Sequence, residues 1–326
     1  MAPVDLWSLS DLCTPWCLHV AATLRIAEHI AKGTTTAREL AAATDSDPGA
    51  LARVLRQLVS KGLFEEPSRD VFALNDAARP LLEAGVRLPL DLAGIGGRMA
   101  YAWGSLPAAV RTGASAYADV FGQPFWDDLQ SHPEIGASFD AFMGPAGHGV
   151  PKAHVLLDED WAAIRTVVDV GGGTGALLSE VLRTHPHVTG TLVELPDTIA
   201  RARAIVTAAG VIDRVTLRAQ SFFDPLPAGA DLYLLKSILS DWPDREATAI
   251  LRRSAEAARP AGRVVILSGV APDDGPPPPD VLMLVLVGGK DRTLAEFRAL
   301  ATEAGLSVLR AGRNASGRFI VECGAR

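Results

Sequence analysis

The sequence predicts an α/β protein in two parts: a mainly α-helical N-terminal part and a C-terminal doubly wound, mostly parallel β-sheet. Three observations support this prediction. Helical, Ala/Leu-rich patterns dominate up to about residue 95, strands alternate with helix-length segments after Ile164, and the glycine turn VDVGGGTGA follows the first of those strands. Strands separated by helix-length segments are typical of a parallel sheet with helices on both faces.

Composition limits the class of protein. The chain has 326 residues, of which 48% are hydrophobic and 21% charged, so it is long enough for two domains with substantial cores. Its formal net charge of −7 argues against a general nucleic-acid-binding protein and against one that binds anionic membranes. No apolar run approaches the roughly 18 residues of a membrane span, and the first residues do not resemble a secretion signal. We therefore expect a cytoplasmic protein with no membrane or nucleic-acid partner.

The cysteine content excludes a disulfide framework. The three cysteines are Cys13, Cys17 and Cys323. Cys13 and Cys17 lie one helical turn apart, and we expect them to be small buried residues on one helix face. Nothing in the sequence indicates a metal site.

The first 95 residues predict a winged helix. The segment TTTARELAAATDSDPGALARVLRQLVSKGLF has the pattern of two helices joined by a turn. Asp47 is a suitable N-cap with Pro48 in the first helical position, and Gly62 is a suitable stop for the second helix. Two short strands around a polar turn follow in GLFEEPSRDVFALN, which completes the outline of helix, turn, helix and β-ribbon.

Winged helices often bind DNA, but the charge of this one does not favour it. Residues 1–90 contain nine Lys and Arg against eleven Asp and Glu. The second helix offers Arg53, Arg56 and Lys61, which is a small supply of cations for contacts to phosphates. The alternative is a dimerisation module whose apolar helices are buried against a second copy of the chain.

Residues 96–163 are predicted to be helical and are crowded with aromatic side chains, although Phe, Trp and Tyr make up only 6% of the chain. An ordinary helical core is one interpretation. The other is an aromatic-walled pocket for a flat apolar ligand. Its candidate residues are Trp103, Phe125, Phe139, Phe142 and Met143.

Residues 164–326 alternate between the two kinds of element. The predicted strands are RTVVDVGGG, VTGTLVELP, VTLRAQSFF, GADLYLLKSIL, GRVVILSGV and GRFIVECGA. The predicted helices between them are ALLSEVLRTHP, DTIARARAIVTAAGV, DREATAILRRSAEAARP and TLAEFRALATEAGL.

The glycine turn predicts a nucleoside site. Gly171, Gly173 and Gly175 occupy alternate positions between a strand and a helix, where the backbone needs positive φ or must approach a ligand closely. Glu194 stands at the end of the next strand, 19 residues past Gly175, where a carboxylate can accept hydrogen bonds from both ribose hydroxyls.

Two nucleoside cofactors are compatible with this spacing. Gly171, Gly173 and Ala176 satisfy the dinucleotide pattern G-x-G-x-x-A, which allows NAD. Asp169, two residues before the first glycine, is instead suited to a ligand that carries a positive amino group. The helix after the turn also lacks a recognisable phosphate clamp. Both features favour S-adenosylmethionine over NAD.

Five blocks of the sequence resemble a known family. The blocks VVDVGGGTG, LVELP, SFFDPLPAGADLYLLKSIL with DWPD, ARPAGRVVI and GGKDRTLAEFRAL are similar, in the same order, to class I S-adenosylmethionine-dependent O-methyltransferases of the plant caffeic-acid and bacterial natural-product type. The resemblance covers essentially the whole chain. It implies a homodimer through a winged-helix dimerisation domain at 1–95, a helical segment at 96–163 that contributes to the acceptor pocket, and a Rossmann-like methyltransferase domain at 164–326.

The resemblance also implies residue roles in binding S-adenosylmethionine, which would leave as S-adenosylhomocysteine. Gly171 would lie against the methionine moiety and Glu194 would bind the ribose hydroxyls. Phe222 would pack on the adenine, and Lys236 would face the sulfur and carboxylate side. Ser221 stands where many members have Asp, so its contact with the adenine amino group would be weaker. Trp242 and Met283 are further candidates to border the acceptor.

One departure from the family concerns the catalytic base. The family uses a histidine immediately before an Asp-Trp pair, and here Ser240 precedes Asp241 and Trp242. The acid that commonly orients that histidine is represented by the shorter Asp291. A serine hydroxyl is far too weak a base to act alone near neutral pH.

Several mechanisms remain open at this level. Methyl transfer could proceed without a dedicated base, since a sulfonium is a strong electrophile and the acceptor needs mainly to be held in line. His148 could serve instead, with Asp241 and Asp291 behind it. The fold could also support decarboxylation or hydroxylation without methylation, or bind ligand as a pseudoenzyme. The sequence favours base-free methylation of a hydroxyl on an aromatic or polyketide-like secondary metabolite.

Overall fold

A computed structural model of the protein describes residues 5–275 and 279–326, and the chain separates into two compact units, Met1–Tyr101 and Ala102–Arg326. The first unit contains helices α1 to α6 and strands β1 and β2, and α7 crosses the boundary. Their bounds are α1 Leu6–Leu9, α2 Cys13–Thr23, α3 Ile26–Ala31, α4 Ala37–Ala43, α5 Pro48–Ser60, β1 Glu65–Ser68, β2 Val71–Ala73, α6 Ala84–Arg87 and α7 Ile95–Ala102.

The predicted winged helix is present in the first unit. Helices α4 and α5 are followed by β1 and β2, which pair antiparallel. The Asp47 carboxylate caps α5 by accepting a hydrogen bond of 2.7 Å from the Ala50 amide, with Pro48 in the first position. One face of α5 is buried because its apolar side chains recur at helical spacing, with Leu55 and Leu58 at its centre.

The cations near the wing have carboxylate partners on the protein itself. The Arg56 guanidinium lies 2.8 Å from Glu66 and 2.7 Å from Asp70, and the Lys61 ammonium lies 3.5 Å from Asp11. These pairs join α5 to the ribbon and to the segment before α2, and they neutralise charge that a phosphate contact would need.

The prediction that Cys13 and Cys17 are both buried is wrong for Cys13, which is exposed, while Cys17 is half-buried. Their sulfur atoms lie 3.9 Å apart without a disulfide. The reason is local: α2 buries residues in its C-terminal half, Ala21 and Ala22, and its first turn lies at the surface.

The second unit contains the sheet and its helices. The helices are α8 Leu106–Thr112, α9 Tyr117–Phe121, α10 Phe125–Ser131, α11 Pro133–Met143, α12 Pro145–His148, α13 Ala176–Thr184, α14 Pro196–Ala208, α15 Asp244–Ala258, α16 Val281–Leu286 and α17 Leu294–Glu303. The strands are β3 Thr166–Val170, β4 Thr189–Glu194, β5 Val215–Ala219, β6 Leu232–Leu235, β7 Arg263–Ile266, β8 Val270–Ala271, β9 Arg292–Thr293, β10 Leu306–Arg313 and β11 Phe319–Ala325.

The sheet is doubly wound and mostly parallel, as predicted. Its seven strands are ordered β10-β11-β7-β6-β3-β4-β5; the five from β7 to β5 are parallel, and β11 is antiparallel to both of its neighbours. Strand β10 was not predicted, because its exposed positions carry arginines and a glycine that resemble a loop. The chain leaves β3 toward β4 on one side and later returns to β6 on the other.

Ligands in such sheets bind at the carboxyl ends of the strands, near the point where the strand order reverses. Here that point lies between β3 and β6. The glycine turn follows β3 and the segment KSILSDW follows β6, so the fold brings the two predicted functional segments to one edge of the sheet. Among the described residues, no helix is both long and apolar enough to cross a membrane.

Candidate active site

The glycine turn after β3 has the backbone conformation that its sequence predicts. Gly171, Gly173 and Gly175 all have positive φ, at 65°, 57° and 76°. A Cβ atom on Gly171 would lie 2.6 Å from the Ile238 side chain, whereas one on Gly173 would meet nothing within 4 Å. The Ile238 side chain therefore packs against the turn at Gly171, whereas the space beside Gly173 is open.

Glu194 closes one side of this turn. The carboxylate accepts hydrogen bonds from the Gly173 amide at 3.1 Å and from the Leu195 amide at 2.8 Å. Burial raises the pKa of Glu194, and these two backbone bonds oppose the rise. A carboxylate has about four lone-pair sites, so two remain for the hydroxyl groups of a ribose.

Asp169, in β3 beneath the turn, is 1% exposed, and neither of its oxygens has a hydrogen-bond partner in the described part of the chain. Burial raises its pKa to about 7; the Lys236 charge opposes the rise and Glu194 adds to it. The Leu178 amide also lowers this pKa, although it lies outside hydrogen-bonding geometry. An unpartnered buried carboxylate is costly, and it fits a site that receives a cationic ligand.

Lys236 and Phe222 border the turn from the neighbouring segments. Lys236 follows β6 and is half-buried; burial lowers its pKa, the Arg318 charge lowers it further, and Asp169 raises it. Carbon atoms of the Phe222 ring lie 3.3 Å from the position of a Cβ on Gly171. The Ser221 hydroxyl accepts a hydrogen bond of 3.2 Å from the Phe223 amide, so it is partly engaged within its own loop.

Gly173→Ala is expected to weaken S-adenosylmethionine binding at least about tenfold, because the methyl group would enter space that the ligand needs. Gly210→Ala is the matched control: Gly210 also has positive φ, 72°, and also has nothing within 4 Å of its Cβ position, but it lies in the loop after α14. Both variants should lose similar thermal stability. Calorimetric titration should show weaker binding for Gly173→Ala alone. Equal affinities in the two variants would contradict a ligand site beside Gly173.

The segment after β6 carries Ser240, at the position where the family that the sequence resembles has its histidine. Ser240 is 8% exposed, and its hydroxyl donates a long hydrogen bond of 3.4 Å to Asp241 Oδ1. Burial raises the pKa of the half-buried Asp241 to about 7; the Ser240 bond opposes the rise and the Asp291 charge adds to it. Burial and Asp280 also raise the pKa of Asp291, and Arg292 lowers it.

Arg292, which the sequence did not single out, organises this segment. It is 1% exposed, and its guanidinium donates to the carbonyl oxygens of Leu239 at 2.7 Å and Trp242 at 2.8 Å, on either side of Ser240 and Asp241. A third bond of 2.9 Å reaches the Asp244 carboxylate. No pattern in the sequence indicates this role, because hydrophobic periodicity does not predict the burial of an arginine.

His148 lies at the surface, in α12. Its Nδ1 is 2.5 Å from the Phe142 carbonyl oxygen, and its ring centroid is 4.7 Å from that of Phe142. No hydrogen bond or ion pair joins His148 to Asp241 or Asp291 among the described residues. The structure therefore places this histidine at the end of its own short helix.

An aromatic cluster lies beside the serine segment. Trp242 stacks on Trp126 with ring centroids 6.0 Å apart, and Trp126 meets Phe139 edge-on at 5.6 Å. Phe125 is 3% exposed and meets Phe139 at 5.8 Å. Trp242 also contacts the ring of Phe222 edge-on, at 5.9 Å, which connects the cluster to the glycine turn.

The remaining predicted pocket residues are more exposed. Trp103 is 43% exposed and Met143 is 37% exposed, while Phe142 and, in α16, Met283 are half-buried. Trp126 lies in the same aromatic-rich region but was not among the predicted pocket residues; its buried indole N–H has no hydrogen-bond partner in the described ranges. That unpaired donor marks it as a candidate for contact with an acceptor.

The helices before the sheet also reach the turn. Asp140 of α11 forms an ion pair of 2.6 Å with Arg201 of α14, and a Cβ on Gly144 would lie 3.3 Å from the Thr174 hydroxyl. Residues from α11 to α12 therefore pack beside the glycine turn. In the described ranges, no group of three or more His, Cys, Asp or Glu is arranged to hold a metal ion.

Comparison with known proteins finds two family models that match the chain. A family model described as the O-methyltransferase domain matches residues 103–307, and one described as the O-methyltransferase dimerisation domain matches residues 7–84. The chain is 42% identical over 318 residues to 2,7-dihydroxy-5-methyl-1-naphthoate 7-O-methyltransferase of Streptomyces carzinostaticus, covering 94% of this chain and 93% of that protein.

Two further similarities are informative. An O-methyltransferase from neocarzinostatin biosynthesis, solved with S-adenosylmethionine and 2-hydroxy-5-methyl naphthoic acid, superposes with a TM-score of 0.92 at 41% identity over 100% of both chains. Aclacinomycin 10-hydroxylase of Streptomyces purpurascens is 38% identical over 316 residues, covering 94% of this chain and 84% of that protein.

Proposed function

Since the chain belongs to the family of S-adenosylmethionine-dependent O-methyltransferases, we propose that it methylates a hydroxyl group on a fused-ring aromatic or polyketide-like secondary metabolite. The observation that carries this proposal is the position of Trp242. It contacts Phe222 beside the glycine turn and stacks on Trp126 in the aromatic cluster, so a methyl donor and a flat acceptor would meet at one residue.

The residues around the turn fit S-adenosylmethionine as co-substrate. The unpartnered Asp169 and the positive φ of Gly171, Gly173 and Gly175 suit a cationic methionine moiety held close to the backbone. Glu194 would bind the ribose hydroxyls, and Phe222 would pack on the adenine with Ser221 as a weak acceptor. Lys236 would lie toward the carboxylate end.

The aromatic cluster fits a flat acceptor. Phe125, Phe139 and Trp126 offer ring faces and edges, and the free indole N–H of Trp126 would donate to a carbonyl or carboxylate of the ligand. Trp103, Phe142, Met143 and Met283 would form the outer border. The relatives' naphthoate ligands have this combination of fused rings and a carboxylate.

Methyl transfer in this site would not use a histidine base. Ser240 cannot remove a proton alone, and His148 is exposed with one ring nitrogen held by the Phe142 carbonyl. Holding the acceptor oxygen in line with the sulfonium methyl group would supply most of the rate enhancement, because preorganised reactants avoid several kcal/mol of entropic barrier, about 7 or more in favourable cases.

The N-terminal unit would serve a homodimer and not nucleic acid. In our proposal residues 1–95 form the dimerisation domain, 96–163 the acceptor-side helices and 164–326 the cofactor domain. The ion pairs of Arg56 and Lys61 support the first of these assignments. The three free thiols fit a reducing compartment, and we place the enzyme in the cytoplasm.

Leu12→Glu is expected to convert the dimer to a monomer. Leu12 is 75% exposed in the protomer and Trp7, five residues earlier in the chain, is 85% exposed; in our proposal a second copy covers these apolar side chains. Leu309→Glu, at a residue that is 56% exposed in β10, is the matched control and should leave the molecular mass unchanged. Light scattering after gel filtration decides: a dimeric Leu12→Glu variant would contradict the proposed interface.

A panel of acceptors tests the function itself. The panel contains hydroxynaphthoic acids, single-ring hydroxybenzoic acids and saturated alcohols, each incubated with S-adenosylmethionine, and products are identified by mass spectrometry. The proposal predicts methyl ethers of the fused-ring acids, fewer or none of the single rings, and none of the saturated alcohols. Methylation of the saturated alcohols in preference to the aromatic acids would contradict it.

A further inference from the structure

The proton released in the reaction needs a destination, and the segment after β6 contains one carboxylate in a suitable position. Asp241 follows Ser240 directly and precedes Trp242, the residue that connects the turn to the aromatic cluster. Its Oδ1 accepts the long bond from Ser240, whereas its Oδ2 has no hydrogen-bond partner in the described part of the chain. The carboxylate is thus held by one oxygen and open at the other.

The cations nearby do not neutralise Asp241. Arg292 donates to Asp244 and to the carbonyl oxygens of Leu239 and Trp242. Lys290 lies 3.6 Å from Asp244 and 3.3 Å from Glu296. Both cations therefore have other acidic partners.

Negative charge faces Asp241 from the opposite segment. Gly289 has no room for a side chain, because a Cβ there would overlap the Ser240 carbonyl, so residues 288–291 pack directly on the serine segment. That packing brings Asp291 toward Asp241. Asp280 lies behind it, accepting a hydrogen bond of 2.8 Å from the Asp291 amide.

We propose that Asp241 accepts the hydroxyl proton of the acceptor, in the role that the family gives to a histidine one position earlier in the chain. This inference rests on the proposed function. The acceptor O–H bond breaks and its proton binds Asp241 Oδ2, while an oxygen electron pair forms the new bond to the methyl carbon. The S–CH3 bond breaks with both electrons left on sulfur, so a sulfonium and a carboxylate become a thioether and a carboxylic acid. Solvent then removes the proton.

The electrostatics support this role. A base works best when its pKa lies near the operating pH, and burial with the Asp291 charge raises the pKa of Asp241 to about 7. The hydrogen bond from Ser240 acts in the opposite direction. Ser240 and Asp291 are therefore positioning residues that shift the pKa of the Asp241 carboxyl group in opposite directions.

The test is the pH–rate profile of methyl ether formation in single turnover, for the full-length protein and four variants, of which the last is a control. The wild-type rate should rise with pH through about 7. Asp241→Asn should lose this rise and be slower by about 100-fold or more at pH 8. Asp291→Asn should move the midpoint to lower pH, and Ser240→Ala should move it to higher pH. Asp213→Asn, exposed before β5 at the far end of the sheet, should behave as wild type.

The possible outcomes distinguish a failure of the proposed function from a failure of the proposal about Asp241. If the wild type forms no methyl ether at any pH, the proposed function fails and this inference falls with it. If it does, and Asp241→Asn keeps the rate and the rise, Asp241 is not the proton acceptor. A midpoint that follows the hydroxyl pKa across different acceptors would also overturn it, since it would report the ligand's own ionisation.

Folding of the variant can be judged independently. A carboxyl whose pKa is raised in the native state stabilises the fold only while it is protonated, and this stability is lost as pH rises toward 7. Asp241→Asn should therefore melt no lower than wild type at pH 8. If it nevertheless fails to fold, the opposite shifts of Asp291→Asn and Ser240→Ala decide, and unmoved midpoints in both overturn the proposal.

Discussion

Glu194→Gln will bind S-adenosylmethionine about 10- to 100-fold more weakly than the wild type. The carboxylate offers two oxygens to the amides of Gly173 and Leu195 and keeps further lone pairs, which in our proposal bind two ribose hydroxyls. Glutamine has one acceptor oxygen and an NH2 group that would face a donor. Hydrogen bonds to a charged group are worth about 1.5–3 kcal/mol each, which gives the expected loss.

The variant should also lose some stability, because the glutamine NH2 group would face the Gly173 or the Leu195 amide. Burial, which raises the pKa of Glu194, offsets part of this loss, since the neutral amide costs less to bury than a carboxylate. Glu303→Gln, at an exposed residue near the end of α17, is the charge-matched control and should keep full affinity. Calorimetry with S-adenosylmethionine and S-adenosylhomocysteine measures both variants. Undiminished affinity in Glu194→Gln would place the ribose elsewhere.

Arg292→Met will lower both the stability and kcat of the enzyme, because this guanidinium holds the segment that carries Ser240, Asp241 and Trp242. Its loss leaves the carbonyl oxygens of Leu239 and Trp242 without a donor, and we expect the free energy of unfolding to fall by about 2–4 kcal/mol. Arg292→Lys keeps the charge but cannot bridge both carbonyls. Its stability and its kcat should therefore lie between those of the wild type and those of Arg292→Met.

Arg214→Met is the control variant that separates the loss of a positioning contact at the active site from a general loss of stability. Arg214 also bridges carbonyl oxygens, those of Val188 at 2.9 Å and Leu182 at 2.8 Å, but it lies before β5 at the amino end of the sheet. The Arg214→Met variant should be less stable than the wild type, but it should keep the wild-type kcat when it is assayed well below its melting temperature. For Arg292→Met we expect a reduced kcat with a nearly unchanged dissociation constant for S-adenosylmethionine. Equal kcat values in the two variants would contradict a positioning role.

Local patterns were sufficient to predict most of the fold. The strand before Gly171 and the positive φ of the three glycines follow from neighbouring residues, as does the cap of α5 by Asp47. The proximity of Glu194 to the turn could also be predicted, since the ends of adjacent parallel strands meet. The family resemblance then supplied the expected role of each residue.

The unpredicted features depend on contacts between distant parts of the chain. Arg292 meets carbonyl groups about fifty residues earlier, and no periodicity announces a buried arginine. The charge balance around Asp241 depends on the packing of Gly289 and Asp291 from another segment. The unpaired N–H of Trp126 likewise becomes visible only when its surroundings are known.

The most direct test of the account uses S-adenosylmethionine labelled in its methyl group, with an accepted aromatic hydroxyl compound. We expect one labelled methyl ether and one S-adenosylhomocysteine for each turnover, in a protein with no histidine at position 240. A hydroxylase lies among the relatives at 38% identity, so the contrary result can be stated specifically. Product that is oxygenated or decarboxylated, without label and with the S-adenosylmethionine unconsumed, would show that this site does not transfer methyl groups.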